Sequence, residues 1–421
     1  MEPRSASVKL IYNEQDITED ISADIESISY EGNAADNSNS VSVTINAMED
    51  KWLNKWMPTK GSTLDVTFFT HNWPDEGQEG QMNGGVMTVD DISYSDAPCT
   101  MTISATAKPN DTDFSEEDRE YIWKNTSVKK IAQTIAGRYS LELGFDGKDA
   151  EIVKREQKAT DSAFLNELCK DYGLILKAYS KKLWIYDREA YKQKKTVATI
   201  DRADIVPGSF SFSDGFDGTY THGIWEYSNQ TKKIKIRAEI GKNGRTKRIS
   251  KYASSPADAE RRLQAAMDNA NHGATKIKFK LALAQIELCE SQTIEITGYG
   301  KLSGKYFIDK VSPDYSRGGG MDQSFDTLHQ CRSAFRCARL CLTEDKDETN
   351  GKEVTLNNAP LYYTSVDKKP VRKVSGKYFL YDGINVAGRY RITNLASRCG
   401  KTPVGKNVTG WVDAKDIGGV T

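Results

Sequence analysis

The 421-residue sequence carries almost no net charge: 58 lysines and arginines stand against 59 aspartates and glutamates, a formal −1. Neutralising phosphates calls for a basic surplus, so nucleic acid is disfavoured as the main partner, and no nucleic-acid sequence recognition is expected. Long apolar runs are also missing. No stretch approaches the ~18 apolar residues of a spanning helix, so no membrane span is expected. The opening MEPRSASVKLIYNEQDITEDISADI has no apolar core of a secretory signal. Synthesis and folding in a cytoplasm are therefore expected.

Histidine is scarce, and the four present, His71, His222, His272 and His329, stand in neither HxH nor HExxH spacing. Seven scattered cysteines, an odd number, suggest reduced thiols and not a disulfide framework. Cys99, Cys169 and Cys289 sit in apolar patterns and read as small core residues. Cys331, Cys337 and Cys341 form C-x5-C-x3-C, which lacks the close pairs of a zinc site. There is no GxSxG and no local signature of a catalytic cysteine. Carboxylate pairs in TVDD, SEEDRE and TEDKDE are what 59 acids produce by chance, so they do not mark a glycosidase. The Arg317-Gly318-Gly319-Gly320 turn lacks a following Lys-Ser/Thr and a βαβ frame, so it is no phosphate cradle. No catalytic residue, cofactor or metal ligand is expected, and the chain does not read as an enzyme.

What the sequence does contain is short-period patterning. SVSVTIN alternates, with Val41, Val43 and Ile45 on one face and Ser40, Ser42 and Thr44 on the other. STLDVTFFT, GGVMTVDDISYS and CTMTISATAK follow, with turns at Gly84-Gly85 and SDAP. NTSVKKIAQTIAGRYSL then places Val128, Ile131, Ala132, Ile135 and Ala136 at helical spacing, with Thr126 or Ser127 as cap. ATDSAFLNELCKDYGL repeats the pattern with Asp161 as cap and Gly173 as terminator. ILKAYSKKLWIYD reads as a hairpin turning near Ser180-Lys181. Strand patterning returns from about 205, interrupted by SPADAERRLQAAMDNAN, a helix capped by Ser255 with Pro256 in its first turn.

The fold class expected is mainly β with an α+β insert: two β-rich regions flanking a small α/β region, read as tube-like β-barrels on the resemblance given below, plus a small C-terminal barrel. The expected bounds are 1–108 for the first barrel, 109–204 for the insert and 205–335 for the second barrel with its helix at 256–271. A polar linker follows at 336–356, then a C-terminal β-barrel at 357–421. That last module holds Tyr362, Tyr378, Tyr381, Tyr390 and Trp411, aromatics that fill a small core or line a partner or peptide groove.

Three stretches carry a resemblance: GGVMTVDDISYSDAPCTMTISATAK; ATDSAFLNELCKDYGLILKAYSKKLWIYD; and ASSPADAERRLQAAMDNANHGATKIKFKLA with SQTIEITGYGKLSGKYFIDKVSPDYSRGGGMDQSFDTL. Their order and spacing, with Gly304, Tyr306, Ile308, Val311 and Tyr315 in a G-x-Y-x-I-x-x-V-x-x-x-Y pattern, resemble the phage late control gene D proteins. These are tail hub proteins similar to the T4 baseplate central hub and the N-terminal region of type VI spike proteins. The resemblance covers about residues 5–330. It implies a homotrimer whose six barrels form a pseudo-sixfold ring, adapting a hexameric tail tube to a threefold spike. Implied partners are the chain itself, a tail tube protein, a spike protein and other baseplate components. The implied location is the baseplate of a virion tail, a tail-like bacteriocin or another contractile injection system. The C-terminal stretch APLYYTS…GKYFLYDG…GRYRIT…TGWVDAKDI resembles a bacterial SH3-type domain. It suits a docking arm, or a head that contacts peptidoglycan. The alternative reading is a cell-wall binding or hydrolytic protein targeted by that domain.

Overall fold

The computed structural model describes residues 3–35, 38–107, 112–179, 182–215, 218–229, 234–331, 352–363, 367, 369–386, 388–399 and 408–420. The Ser180-Lys181 turn, Cys337, Cys341 and residues 336–351 of the expected linker lie outside the described residues. The chain divides into two compact units, Met1–Phe335 and Arg336–Thr421, each described by itself.

The first unit opens with β1 (Ser5–Tyr12), β2 (Gln15–Asp16), α1 (Thr18–Ile21), β3 (Ile25–Asn33), β4 (Ser40–Asn46), β5 (Thr63–His71), β6 (Glu79–Asp96) and β7 (Cys99–Thr106). The period-two reading holds in β4: Val41, Val43 and Ile45 are buried while the residues between them are half-exposed. These strands curl around a core that includes Leu10, Ile28, Val43, Phe68 and Met101.

The insert follows as α2 (Thr112–Glu116), β8 (Asp118–Ser127), α3 (Val128–Arg138), β9 (Glu142–Asp146), β10 (Glu151–Thr160), α4 (Asp161–Asp171), β11 (Leu174–Tyr179), β12 (Lys182–Asp187) and α5 (Arg188–Gln193). Strands β8 and β10 pair, and β9, β12 and β11 form a second small sheet. Ser127 caps α3, accepting from Lys130 N–H at 3.3 Å. The cap of α4 is Thr160, not Asp161 as the sequence suggests. Thr160 Oγ1 accepts from Ala163 N–H, whereas Asp161 is fully buried and accepts from Arg138, Tyr139 and Gln157. Asp161 is spent on tying β10 to α3, so its neighbour closes the helix. Cys169 is fully buried in this core, while Cys99 and Cys289 are only half-buried.

The remainder of the unit comprises β13 (Ala198–Ile200), β14 (Ser211–Asp214), β15 (His222–Asn229), β16 (Ile234–Ile240), β17 (Thr246–Ile249), α6 (Pro256–His272), β18 (Thr275–Lys280), β19 (Thr293–Ile296), β20 (Gly304–Ser316) and β21 (Gly320–Gln330). Ser255 caps α6, accepting from Asp258 N–H at 3.1 Å, with Pro256 following it. Strands β15, β16 and β17 form a sheet of their own under α6, packing Trp225, Ile236 and Ile240 against Leu263 and Met267.

The expected pair of separate barrels is instead one open sheet of thirteen strands, in the order β14-β18-β21-β20-β3-β4-β7-β6-β5-β1-β2, with β13 and β19 branching from β20. Strand β20 is the reason. Its first residues, 304–307, pair with β19, and residues 310–316 pair with β3, while β21 runs along its other edge. One long strand thus serves both halves, and neither ladder closes on itself. The first half curls until Ala6 N–H donates to Gly319 O in the β20–β21 turn at 2.9 Å.

In the second unit β22 (Glu353–Leu361), β23 (Arg372–Val386), β24 (Arg389–Thr393), β25 (Gly410–Asp413) and β26 (Ile417–Val420) form one sheet in the order β25-β24-β23-β22-β26. Strand β22 starts inside the expected linker, because Val354 and Leu356 alternate into the core with Leu380, Ile392 and Val412. Tyr362 and Trp411 exchange both backbone hydrogen bonds at 2.8 Å and bring the end of β22 to β25.

Candidate functional site: an acidic sheet face and a histidine–aspartate node

The seam between β20 and β3 makes one polar face continuous across both halves of the large sheet. A trough of about 570 Å³ there is lined by Glu31, Asp90, Asp91, Asp314 and Asp326 together with six serines and Thr106. The alternation that buries Val41 and Val43 sends Ser40 and Ser42 to this face. Lys310 pairs with Glu31 at 2.8 Å. Burial, with Asp322 and Asp326 alongside, raises the Asp314 carboxyl above its usual value.

Where the insert meets the large sheet, Lys177 and Glu290 form an ion pair with side chains 10% and 7% exposed. Glu290 also accepts from Asn39, which in turn donates to the Tyr30 hydroxyl. Burial pushes the Glu290 carboxyl up, but Lys177 outweighs it and holds the group below its usual value. Gly32 is required here: a Cβ at this position would collide with Glu290 Oε2.

A second polar node lies at the point where β20 changes partner. The β20–β21 register shifts between Ile308 and Lys310, so Asp309 is the extra residue of a β-bulge. Its backbone carbonyl accepts from Ala34 N–H at 2.8 Å. Its carboxylate meets two imidazoles: His272 Nε2, from the end of α6, lies 3.4 Å from Oδ1, and His329 Nε2, from β21, lies 3.3 Å from Oδ2. The two rings are 3.9 Å apart between centroids, and His272 sits edge-on to Phe307. Burial drives the His272 imidazole down to about 3 despite the pull of Asp309, with Arg188, His329 and Lys192 adding to the fall. Burial also opposes charge on Asp309, yet hydrogen bonds from the two histidines hold its carboxyl well below the carboxylate range. The sequence offers no warning of this site, since 272, 309 and 329 follow no local motif.

The sequence-derived aromatic set of the second unit is placed as follows. Tyr362, Tyr381 and Trp411 are buried; Tyr378 and Tyr390 are half-buried and pack against the core. Tyr362 and Trp411 are brought together by their backbone bridge, and each ring is covered by an arginine. Arg389 lies 3.4 Å over Tyr362 and Arg391 4.7 Å over Trp411. Those arginines are held by Asp413 at 2.7 Å and Asp382 at 2.5 Å. The neighbouring Tyr363, absent from the set, is 76% exposed.

The fold of this chain is one found in phage tail proteins. Three solved structures share it. The 43 kDa tail protein of prophage MuSo2 from Shewanella oneidensis superposes with a TM-score of 0.59 at 12% identity, over 78% of this chain and 99% of its own. A tail protein from Neisseria meningitidis gives 0.58 at 9% identity, over 77% and 97%. Prophage tail protein gp18 from Listeria monocytogenes gives 0.52 at 11% identity, over 77% and 94%. No protein-family model and no curated protein matches the sequence.

Proposed function

We propose that the chain is a structural hub protein of a phage tail or phage-tail-like particle, and that three copies build a ring between tail tube and spike. The observation that carries this reading is the tail-protein fold over 77–78% of the chain, combined with a polar sheet face that is richer in carboxylates than in cations. In a ring, that face is the lumen wall. Its surplus of carboxylates disfavours phosphate, so a nucleic acid or an acidic cargo passes without adhering. In this reading the two halves of the large sheet act as two repeats per chain, so that three chains offer six to a hexameric tube. The hub itself turns over no substrate.

Light scattering on the purified full-length chain is expected to return three times the chain mass. A stable monomer at all concentrations overturns the trimeric ring. A cleared band on a peptidoglycan zymogram overturns the non-enzymatic reading in favour of a wall hydrolase.

The second unit serves, in this proposal, as an SH3-like arm that docks a baseplate component. Exposed Tyr363 and half-buried Tyr378 and Tyr390 are the aromatic surface it offers, while Tyr362, Tyr381 and Trp411 are buried. Sedimentation of the full chain with peptidoglycan separates the two arm functions: pelleting supports wall contact and defeats docking as the sole role.

A further inference from the structure

We propose that His272, Asp309 and His329 form a binding site for one divalent transition cation of the zinc class, which clamps the end of α6 to the forked strand β20. One ligand atom from each of the three residues lies within 4.8 Å of the others.

Distances point to a cation more than to a simple hydrogen-bonded trio. Good N–H···O bonds cluster near about 2.9–3.0 Å, and those to a carboxylate are shorter still. The contacts here are 3.4 and 3.3 Å, long for buried charge-assisted bonds. Zinc holds nitrogen and carboxylate oxygen at about 2.0–2.1 Å, which sets neighbouring tetrahedral donors about 3.3–3.4 Å apart. The two His–Asp contacts, one to each carboxylate oxygen, match that spacing, and a monodentate carboxylate with both imidazoles needs only a small inward shift from the present 4.8 Å envelope.

Two independent features support the site. The first is the bulge. It places Asp309 as an extra residue beside His329, where β20 passes from pairing with β19 to pairing with β3. The second is the rings themselves. The side chains of His272 and His329 are 10% and 4% exposed, so both Nε2 atoms face the Asp309 carboxylate from surroundings largely closed to water. Asp309, 25% exposed, leaves a route for a cation and for water as fourth ligand.

Nearby cations do not defeat the site. Arg188 and Lys192 of α5 stand close to His272, but both pair with Glu189, at 3.6 and 2.7 Å, and Arg188 also donates to Asn269. Two imidazoles with one carboxylate select zinc, cobalt, nickel or copper over magnesium and calcium, which want mostly oxygen.

The test uses the full-length chain, stripped with chelator and titrated with cobalt(II) under reducing conditions. One equivalent per chain is expected to produce the visible bands of a four-coordinate site. Zinc is expected to displace it; magnesium and calcium are not. No thiolate-to-metal charge-transfer absorption is expected, which separates this site from any cysteine site. His329→Gln and Asp309→Asn are each expected to weaken binding at least about tenfold, with unchanged far-ultraviolet dichroism. Absent bands overturn the proposal. So does thiolate absorption accounting for all the bound metal, or unaltered binding in a folded H272Q/H329Q chain. If the variants do not fold, the wild-type stoichiometry and the missing thiolate absorption still decide it.

Discussion

Among single residues, the sharpest consequences attach to buried charges. Removing Lys177 leaves the buried Glu290 carboxylate without its counter-ion, with Asn39 still donating to it, so Lys177→Met is expected to cost about 3–5 kcal/mol by urea denaturation. Adding Glu290→Gln should restore much of that, which a double-mutant cycle measures. Gly32→Ala drives a methyl into the same carboxylate and should cost about 1–3 kcal/mol. The node at Asp309 sets a pH dependence. His272 titrates near its ordinary value, about 6.5, when unfolded and near 3 when folded, so between these limits the unfolded chain holds the extra proton. Stability of the chelated protein should therefore fall as pH drops from about 6.5 toward 3, by up to about 1.4 kcal/mol per pH unit. Depressed carboxyls at Asp309 and Glu290 act in the same direction, their contribution fading as pH falls below the ordinary carboxylate range. Asp309, His329, Arg188 and Lys192 are the charged or titratable groups around His272. Replacing His272 with Gln should flatten the upper part of the slope in a pH series of melts.

At the level of elements, α6 carries the best-read part of the chain. Its cap and its proline were both legible, because helix signals lie within a few residues of one another. Only Arg262 departs from the apolar pattern. It is buried, bonds Asp171 at 2.9 Å and stacks over Trp225 at 5.0 Å. Leu263, fully buried between α6 and β15, should cost about 2–5 kcal/mol as Leu263→Ala, read by thermal unfolding. Strands were legible through alternation, as β4 and β7 illustrate. Their partners were not. The period of Ile308 and Val311 says that β20 is a strand, but nothing local says that it abandons β19 for β3 halfway along, or that Asp309 bulges at the switch. The same limit hid the node, whose two histidines come from a helix end and a strand far apart in sequence. It also hid the separate sheet under α6, since β15, β16 and β17 alternate like their neighbours. In the second unit, composition left the aromatics between core and groove; Tyr362 and Trp411 are buried and joined by a backbone bridge.

For the whole molecule, two compact units with separate cores should unfold as two transitions in calorimetry of the full chain. A single cooperative peak would contradict that independence. The seam between β20 and β3 has a further meaning during synthesis. Ser27 pairs with Ser316, so the ribosome must make nearly all of the first unit before β3 acquires its outer neighbour. At about 5–20 residues per second, that leaves β3 an open edge for roughly 15–60 s. A nascent chain in that interval exposes one unpaired edge of a strand rich in Ile, Ser and Tyr, the kind of edge on which other nascent chains add. Productive biogenesis of this protein is therefore a race between the arrival of β20 and capture of β3 by another copy.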